Sequence, residues 1–212
     1  MKSSELFSPE ERGAIERAIA EVEAKTSAEI VPVVASASGS YSRAEDLLGI
    51  WCGVLGFLAL GLAHPERQID LLEGLLVFFL GLLLGGGLLS RIPSLKRSMT
   101  GEEDREKRAV EAAERLFTAR RIGRTAERTG VLLYLSLFER VAVVLADEKA
   151  SEALGKDGTE RVRDVLLEGM KERKPVEGFR RAVLVAGERL AAKLPRATGD
   201  ANELPDRLVF ID

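Results

Sequence analysis

Residues 47–63 read LLGIWCGVLGFLALGLA, and residues 74–90 read GLLVFFLGLLLGGGLLS. Neither run contains a charged residue, and Leu71, Leu72 and Ile92 extend the apolar character of the second run. As a helix, each run rises roughly 25 Å, close to the lower limit for crossing a bilayer core of about 30 Å. We therefore expect a two-helix transmembrane hairpin, with spans at residues 47–63 and 71–92 and a short polar turn at 64–70. The alternative is a pair of buried core helices, although soluble helices normally have a polar face.

The distribution of basic residues around the two runs predicts the topology. Six basic residues follow the start of the second run's C-terminal flank: Arg91, Lys96, Arg97, Arg105, Lys107 and Arg108. By contrast, only Arg43 lies just before the first run and only Arg67 lies in the turn. Basic residues favour the cytoplasmic side of a membrane. We expect a multi-pass cell-membrane protein with both termini and the soluble domain in the cytoplasm. The basic flank can also contact anionic head groups, but an orientation signal alone explains it.

Both runs contain a pair of glycines four residues apart, Gly49 with Gly53 and Gly81 with Gly85. Glycines at this spacing form a flat strip on one helix face and allow close backbone approach. The strips are interpreted either as the contact between the two hairpin helices or as a seam between two copies of the chain. Because glycine is common in membrane helices, we favour packing within the hairpin.

Composition and charge exclude several functional classes. The net charge of −3 and the pI of about 5.5 give no support for nucleic-acid binding. The single cysteine, Cys52, and the single histidine, His64, exclude an intramolecular disulfide, a cysteine-rich zinc site and a histidine-dependent catalytic triad. The first residues, MKSSELFSPEE, lack a basic region followed by an apolar core, so we expect no cleaved signal peptide.

Outside the apolar runs, the sequence has the pattern of a small α/β domain. Ser8, Pro9 and Glu11 form a capping box at the start of a helix that continues to about Lys25. The β-branched run 28–35 predicts a strand, in which Pro32 suggests an edge position or a local irregularity. Further elements follow the hairpin in the order helix, strand, strand, helix, helix: residues 100–121, 131–138, 141–146, 159–173 and 176–194.

These elements predict a small mixed-sheet sandwich with helices on both faces, interrupted by the transmembrane hairpin. The domain limits that follow are 1–46 for the first part, 47–92 for the hairpin, 93–195 for the second part and 196–212 for a tail. Residues 131–146 read as an antiparallel strand pair, and we expect Ile30 and Val33–Val34 to lie beside them. The tail ends in LVFI, which either adds a strand or docks on the domain.

The segment TGVLLYLSLFERVAVVLAD, residues 129–147, resembles the central strand pair of the TPM domain family. That family is named after a thylakoid-lumen phosphatase, a photosystem repair factor and a receptor-modulating membrane protein. Three further segments match its pattern in order: AIERAIAEVEAKTSAEIVPVV, AVEAAERLFTARRIGRT and GFRRAVLVAGERLAAKLP. In the tail, NELPD resembles the ending of a bacterial membrane-protein branch of the family. Many members carry a cleaved signal and a C-terminal anchor, whereas here the apolar runs interrupt the domain.

The resemblance implies a TPM-like fold and directs attention to acidic residues at the strand ends. Asp147 and Glu148 follow the second strand of the pair, and Asp157 lies in the same connector. Their oxygens are candidate ligands for Ca²⁺ or Mg²⁺, and such a metal can polarise a phosphoryl oxygen. The alternative is a solvated acidic loop that caps the next helix.

Two functions remain open from the sequence. The first is a membrane-tethered binding or assembly module that engages another membrane protein in the lipid bilayer, and it is favoured because no nucleophile and base pattern is evident. The second is a metal-assisted hydrolase like the acid phosphatases of the TPM family. A channel is disfavoured because the two short spans contain no intramembrane charge.

Overall fold

A computed structural model describes residues 5–88, 91–200 and 202–212 of the protein. The last residues of the second apolar run, 89–90, lie outside this description. The chain divides into two compact units, Met1–Gly39 with Arg105–Asp212, and Ser40–Asp104. The described residues form these helices and strands: α1 Pro9–Glu23, β1 Glu29–Ala35, α2 Ser42–Ala63, α3 Leu71–Leu82, α4 Pro93–Ser98, α5 Glu102–Ala119, β2 Gly130–Ser136, β3 Val141–Ala146, α6 Glu148–Lys171, α7 Pro175–Lys193 and β4 Val209–Ile211.

The first unit is built on a mixed four-stranded sheet with the order β3-β2-β1-β4. β1 runs parallel to both β2 and β4, and β2 pairs antiparallel with β3. Ile30 lies opposite Val131, and Val34 lies opposite Leu135. The α/β class and the placement of the first strand beside the later strand pair are therefore confirmed. The tail adds a strand, since Val209–Ile211 pairs with Val33–Ala35.

Pro32 lies in β1, which has β2 on one side and β4 on the other. This differs from the edge position that the proline suggests. β2 pairs with β1 along its whole length, whereas β4 begins to pair only at Val33. One side of β1 is therefore an open edge at Pro32, where the missing N–H of proline interrupts no ladder with β4.

Two hydrophobic clusters cover opposite faces of the sheet. Alternate residues of β1 and β2 point to each face, as the period of a strand requires. Ile30 and Val34 belong to the cluster formed with α1, α6 and α7, whereas Val31 and Val33 belong to the cluster formed with α5. Helices therefore lie on both faces of the sheet, as predicted.

Local sequence signals explain the ends of two helices. Ser8 Oγ accepts a hydrogen bond from the Glu11 amide at 3.3 Å, and Glu11 Oε2 accepts one from the Ser8 amide at 2.8 Å. This capping box starts α1 as predicted. α6 begins earlier than predicted because Asp147 caps it and Ala150, Ala153 and Leu154 are buried. The helix is interrupted at Gly155, which has a φ of 65°.

The second unit consists of α2, α3, a π-helical segment at Leu83–Leu88 and the short helix α4. Among the described residues, Glu45–Ala63 is long and apolar enough to cross a membrane, with a mean hydropathy of 1.9. Leu71–Gly87 is a shorter apolar helix. The first predicted span thus corresponds to a helix of sufficient length and apolarity to cross a membrane, and the transmembrane hairpin with its second span stays a prediction. α4 was not predicted, because its polar sequence PSLKRS carries no apolar periodicity.

Candidate functional site

Strongly exposed large hydrophobic side chains are confined to the second unit. Within residues 5–88, 91–200 and 202–212, every such side chain lies between Leu47 and Ile92. Only 17% of the most apolar window of α2 is buried. Isolated apolar side chains are normal on a soluble surface, but a continuous apolar surface of this kind marks contact with a membrane or a partner.

The four predicted packing glycines lie where α2 contacts α3 and the π-helical segment that follows α3. A Cβ atom on Gly81 would approach the Cα of Gly53 to 2.5 Å, and one on Gly85 would overlap the carbonyl oxygen of Leu48. A Cβ on Gly49 would lie 3.1 Å from the Leu82 carbonyl oxygen. The glycine faces are therefore used within the hairpin, where they allow close approach of the two helix backbones.

Ion pairs lie at the ends of the hairpin helices. Lys96 Nζ lies 2.5 Å from Glu45 Oε1, and Arg67 Nη2 lies 2.8 Å from Glu73 Oε2. Cys52 is part of α2, and His64 is the residue that follows α2. The structure thus places the single thiol and the single imidazole in the second unit, outside the α/β domain.

The three acidic residues predicted to bind a metal have separate roles. Asp147 caps α6 through a hydrogen bond from the Glu148 amide to its Oδ1 at 2.8 Å, while its Oδ2 is buried without a hydrogen-bond partner. Glu148 is exposed and forms an ion pair with Arg128 at 2.5 Å. Asp157 is exposed and lies beyond the break in α6. In the described part of the chain, no group of three Asp, Glu, His or Cys side chains is arranged around a metal position.

A different acidic pocket lies where α1 leads into β1. It has a volume of about 170 Å³. Its lining includes two carboxylates from the α1–β1 segment, several groups from the tail and one basic residue: Glu23, Thr26, Glu29, Arg196, Asp200, Asn202 and Asp206. Glu23 and Glu29 are buried, with exposed fractions of 8% and 6%. The pocket thus contains two carboxyl groups that have little access to water.

The hydrogen bonds of this pocket leave one carboxylate oxygen free. Glu23 Oε1 accepts from the Ile30 amide at 2.8 Å, whereas Glu23 Oε2 is buried with no partner. Both oxygens of Glu29 accept from tail amides, those of Glu203 and Leu204, each at 3.2 Å. Asp206 Oδ1 accepts from Asn202 Nδ2 at 2.5 Å. Among the described residues that line the pocket, Glu23 Oε2 is therefore the buried side-chain atom without a hydrogen-bond partner.

Burial shifts the acid–base behaviour of both glutamates. Burial raises the pKa of Glu23 from an ordinary 4.5 to about 8, opposed by the Ile30 hydrogen bond and reinforced by the Asp206 and Glu29 carboxyls. The Asp206 carboxyl lies within hydrogen-bonding reach of Glu23. Burial also raises the pKa of Glu29, while the Glu203 and Leu204 amides act in the opposite direction. At neutral pH, the Glu23 carboxyl is therefore predominantly protonated.

A second polar cluster lies at the carboxyl ends of β1 and β2. Ser38 Oγ lies 2.8 Å from Tyr134 Oη and donates to Ser136 Oγ at 2.9 Å. The Ser38 amide donates to Glu139 Oε1 at 2.8 Å, and Ser136 Oγ donates to Glu139 Oε2. Burial raises the pKa of Tyr134. These hydroxyl groups are all engaged with each other, so the cluster fixes the chain where it leaves β1.

Sequence reasoning missed the acidic pocket, although one signal points to it. Ile15, Ile19 and Glu23 are spaced four residues apart, so they share one face of α1. The first two side chains are fully buried. A glutamate that continues an apolar stripe is unusual, because a buried carboxylate needs a partner. The tail residues that complete the pocket cannot be assigned to it by spacing alone.

The architecture defines a mixed α/β domain whose chain is interrupted after its first strand. The chain is similar in fold to the BA42 protein from the psychrophilic bacterium Bizionia argentinensis, solved by NMR. The TM-score is 0.58 and the sequence identity 17%, over 96% of this chain and 94% of that chain. At this identity the similarity shows the fold alone. No family model and no curated protein matches the sequence.

Proposed function

We propose that the protein is an integral membrane protein in which α2 and α3 anchor a TPM-like α/β domain to the lipid bilayer. The observation that carries this proposal is the confinement of the strongly exposed large hydrophobic side chains to residues 47–92 among those described. A pair of core helices would instead bury these side chains against other elements. In water, the same surface would make the protein aggregate.

The dimensions of the helices are compatible with this role. The 19 residues of Glu45–Ala63 rise roughly 28 Å, which matches the hydrocarbon thickness of a bilayer. Leu71–Gly87 is shorter than the hydrocarbon layer. Local thinning of the bilayer, or anchoring of the flanking residues at its surface, compensates for this difference in length. The glycine contacts between α2 and α3 supply close packing, which drives helix association in lipid.

The proposed orientation places both termini and the α/β domain in the cytoplasm, on the basis of the basic residues that follow the second run. Labelling of single cysteines tests this topology. In a Cys52→Ala background, Glu66→Cys places a thiol in the turn between α2 and α3, and Ser151→Cys places one on α6. Both native residues are exposed.

We expect a membrane-impermeant maleimide to label Glu66→Cys in intact cells and to label Ser151→Cys only after permeabilisation. Both variants should stay in the membrane fraction after an alkaline carbonate wash. Labelling of Ser151→Cys in intact cells would contradict the proposed orientation. Release of the protein by carbonate would contradict the anchor itself.

Within this arrangement, the α/β domain is proposed to act as a binding or assembly module for another membrane protein. With His64 and Cys52 in the second unit, the domain has no imidazole base and no thiol nucleophile. The Ser38, Ser136 and Tyr134 hydroxyls are tied into one buried cluster with Glu139. These features favour recognition over covalent catalysis.

Photo-cross-linking in native membranes tests the assembly role. A photoreactive residue at exposed positions of the α/β domain, such as Glu111 on α5, should capture a defined membrane protein. A version limited to residues 40–104 serves as the matched control, because it retains the anchor and lacks the domain. If this version captures the same partner as the full chain, the α/β domain is not the recognition module.

A further inference from the structure

A basic pocket lies where the turn between β2 and β3 meets the end of α6. Its lining combines three basic side chains with two apolar ones: Arg140, Lys171 and Arg173 with Leu167 and Met170. The volume of this basic pocket is about 330 Å³. The three basic residues are exposed, whereas the two apolar residues are partly buried. The basic pocket therefore offers positive charge beside a partly buried apolar surface.

The charge of the basic pocket is not neutralised by the acidic residues around it. In the part of the chain that the structure describes, the three basic side chains form neither a hydrogen bond nor an ion pair. The acidic residues beside them in the sequence have other partners. These partners are Arg161 for Glu168, Arg181 for Glu172, and the Ser38 amide and Ser136 hydroxyl for Glu139. Three cations are thus left available to an anionic ligand.

Two of the three cations occupy backbone positions where glycine or asparagine is usual. Arg140 and Arg173 have left-handed backbone, with φ angles of 57° and 59°. The Arg173 amide donates to the Met170 oxygen at 3.1 Å, and the Lys174 amide donates to the Gly169 oxygen at 2.8 Å. These two bonds form a Schellman motif at the end of α6, in which glycine is the common left-handed residue. An arginine at this position keeps the cost of left-handed backbone and adds a cation beside the pocket.

The basic pocket lies at the end of the sheet from which the chain continues into α2. The Leu137 amide donates to the Ala35 oxygen at 2.9 Å, and the Phe138 amide donates to the Ser36 oxygen at 3.1 Å. The turn that carries Arg140 is therefore beside the end of β1. Residues 36–41 are all that separates β1 from α2. With α2 in the bilayer, as proposed above, this short connector brings that end of the sheet close to the lipid head groups.

We propose that the basic pocket binds the phosphate-bearing head group of an anionic phospholipid, an inference that rests on the proposed membrane anchor. The guanidinium groups of Arg140 and Arg173 present paired N–H donors that suit phosphate oxygens, and Lys171 adds a compact positive charge. The apolar part of the lining accommodates the glycerol and the first acyl carbons. A volume of about 330 Å³ is at the lower end of small-ligand pockets, so it suits one head group better than an extended acidic peptide.

Thermal unfolding of the full-length, delipidated protein in a non-ionic detergent tests the proposal. The micelles are supplemented with dioleoylphosphatidylglycerol, which is anionic, or with dioleoylphosphatidylcholine, which is zwitterionic and has the same chains. Phosphatidylglycerol should stabilise the protein saturably. At ten times the dissociation constant, it should raise Tm by about 3–6 °C relative to phosphatidylcholine. High salt should weaken this effect, because the three cations are exposed to solvent.

Two triple variants with the same change in charge locate the site. The site variant combines Arg140→Asn, Lys171→Gln and Arg173→Asn, and it should fold because asparagine tolerates left-handed backbone. Its affinity for phosphatidylglycerol should be at least tenfold lower. The control variant combines three substitutions of exposed arginines that precede β2, at the opposite end of that strand: Arg120→Gln, Arg121→Asn and Arg124→Gln. The control variant should respond to the lipid like the wild type.

Several results would overturn the proposal. These are no saturable effect of phosphatidylglycerol on the wild type, an equal effect of phosphatidylcholine, or a normal lipid response in the site variant. A lower Tm of the site variant with an unchanged lipid response would show that the cations only compensate the C-terminal end of α6. Stabilisation by inorganic phosphate alone would assign the pocket to a soluble anion, and stabilisation by a polyglutamate peptide would assign it to an acidic protein segment.

The proposed anchor is decided separately by the carbonate wash and the maleimide labelling. A carbonate-resistant protein that shows no response to phosphatidylglycerol would overturn the lipid site and leave the anchor in place. Release by carbonate would overturn the anchor and, with it, the argument that brings the basic pocket close to the head groups.

Discussion

Glu23 occupies a position on α1 that Ile15 and Ile19 hold in the two preceding turns. A carboxylate there opposes folding unless it is protonated or paired, because burial removes its hydration. Ionisable groups with strongly shifted pKa values are concentrated at functional sites. A buried acidic residue in an apolar stripe is therefore a candidate functional residue even when it belongs to no sequence motif. The sequence thus shows that Glu23 is an unusual residue in the apolar stripe of α1. Spacing alone does not identify the tail residues that line the pocket with it.

The raised pKa of Glu23 predicts how stability depends on pH in metal-free buffer. The folded group titrates near pH 8 and the unfolded group near 4.5, so the folded state binds more protons between these values. The free energy of unfolding should therefore decrease as pH rises from about 5 to 8, by up to about 1.4 kcal/mol per pH unit. Denaturant unfolding at several pH values measures this slope.

Glu23→Gln should flatten the dependence and raise stability at pH 8, because the neutral amide needs no proton. Asp157→Asn, which changes an exposed carboxylate, should keep the wild-type slope. An unchanged slope in Glu23→Gln would show that another group controls the pH response.

Asp147 provides a residue-scale test of the hydrolase alternative. If the domain is a binding module, purified protein should release no phosphate from an aryl phosphate, with Ca²⁺, with Mg²⁺ or with chelator. Asp147→Asn should fold normally, because asparagine also caps helices. Metal-dependent turnover that Asp147→Asn abolishes would instead establish an enzyme and locate its site at the start of α6.

At the scale of elements, the contact between α2 and the π-helical segment Leu83–Leu88 predicts a contrast between two nearby glycines. A Cβ atom at Gly85 would overlap the Leu48 carbonyl, whereas a Cβ at Gly87 would meet no atom within 4 Å. Gly85→Ala should therefore destabilise the helix pair by about 1–3 kcal/mol, as overpacking does in closely packed interiors. Gly87→Ala should be neutral within about 0.5 kcal/mol.

Thermal unfolding in a fixed detergent compares these two alanine variants directly. Both add one methyl group to the same glycine run, so differences in hydrophobicity cancel. A similar Tm for the two variants would contradict the close contact at Gly85. A large loss at Gly87 would point to a contact with a second copy of the chain.

Elements with strong periodicity or a clear start signal were predicted well from the sequence. The capping box at Ser8 and the apolar strands β1, β2 and β3 are local features, and each is present. The short helix α4 was missed because it buries no residue. For residues 147–158 the sequence predicts only a short helical patch, because Gly155 separates the first turns of α6 from the apolar stripe that follows. The strand at 209–211 was left undecided because three residues form a strand only when a neighbour pairs with them.

At the scale of the molecule, the α/β unit combines residues from both sides of the second unit. The side chain of Arg108 lies close to Gly39, since a Cβ atom on Gly39 would be 3.0 Å from it. The two points of the α/β unit between which residues 40–104 are inserted are therefore near each other. Replacing residues 40–104 by a short glycine-serine linker should give a soluble, folded domain.

This shortened chain should show cooperative unfolding and a circular dichroism spectrum with both helix and strand. It should remain in the supernatant after ultracentrifugation, whereas the full chain should require detergent. Insolubility of a folded shortened chain would show that the α/β unit itself contacts the membrane. The inserted unit could be predicted from the sequence because its apolar composition differs strongly from that of the charged α/β unit. The binding partner of the domain cannot be predicted in this way, because no feature of the composition indicates it.

The parallel pairing of β1 with β2 has a consequence for synthesis on the ribosome. β2 is complete roughly 100 residues of translation after Ala35, which corresponds to about 5–20 s at 5–20 residues per second. During this delay α2 and α3 are translated, while β1 has no β2 beside it. In a nascent chain, Ile30–Ala35 therefore lacks its β2 partner throughout this interval, and slower translation of residues 64–129 would lengthen the interval.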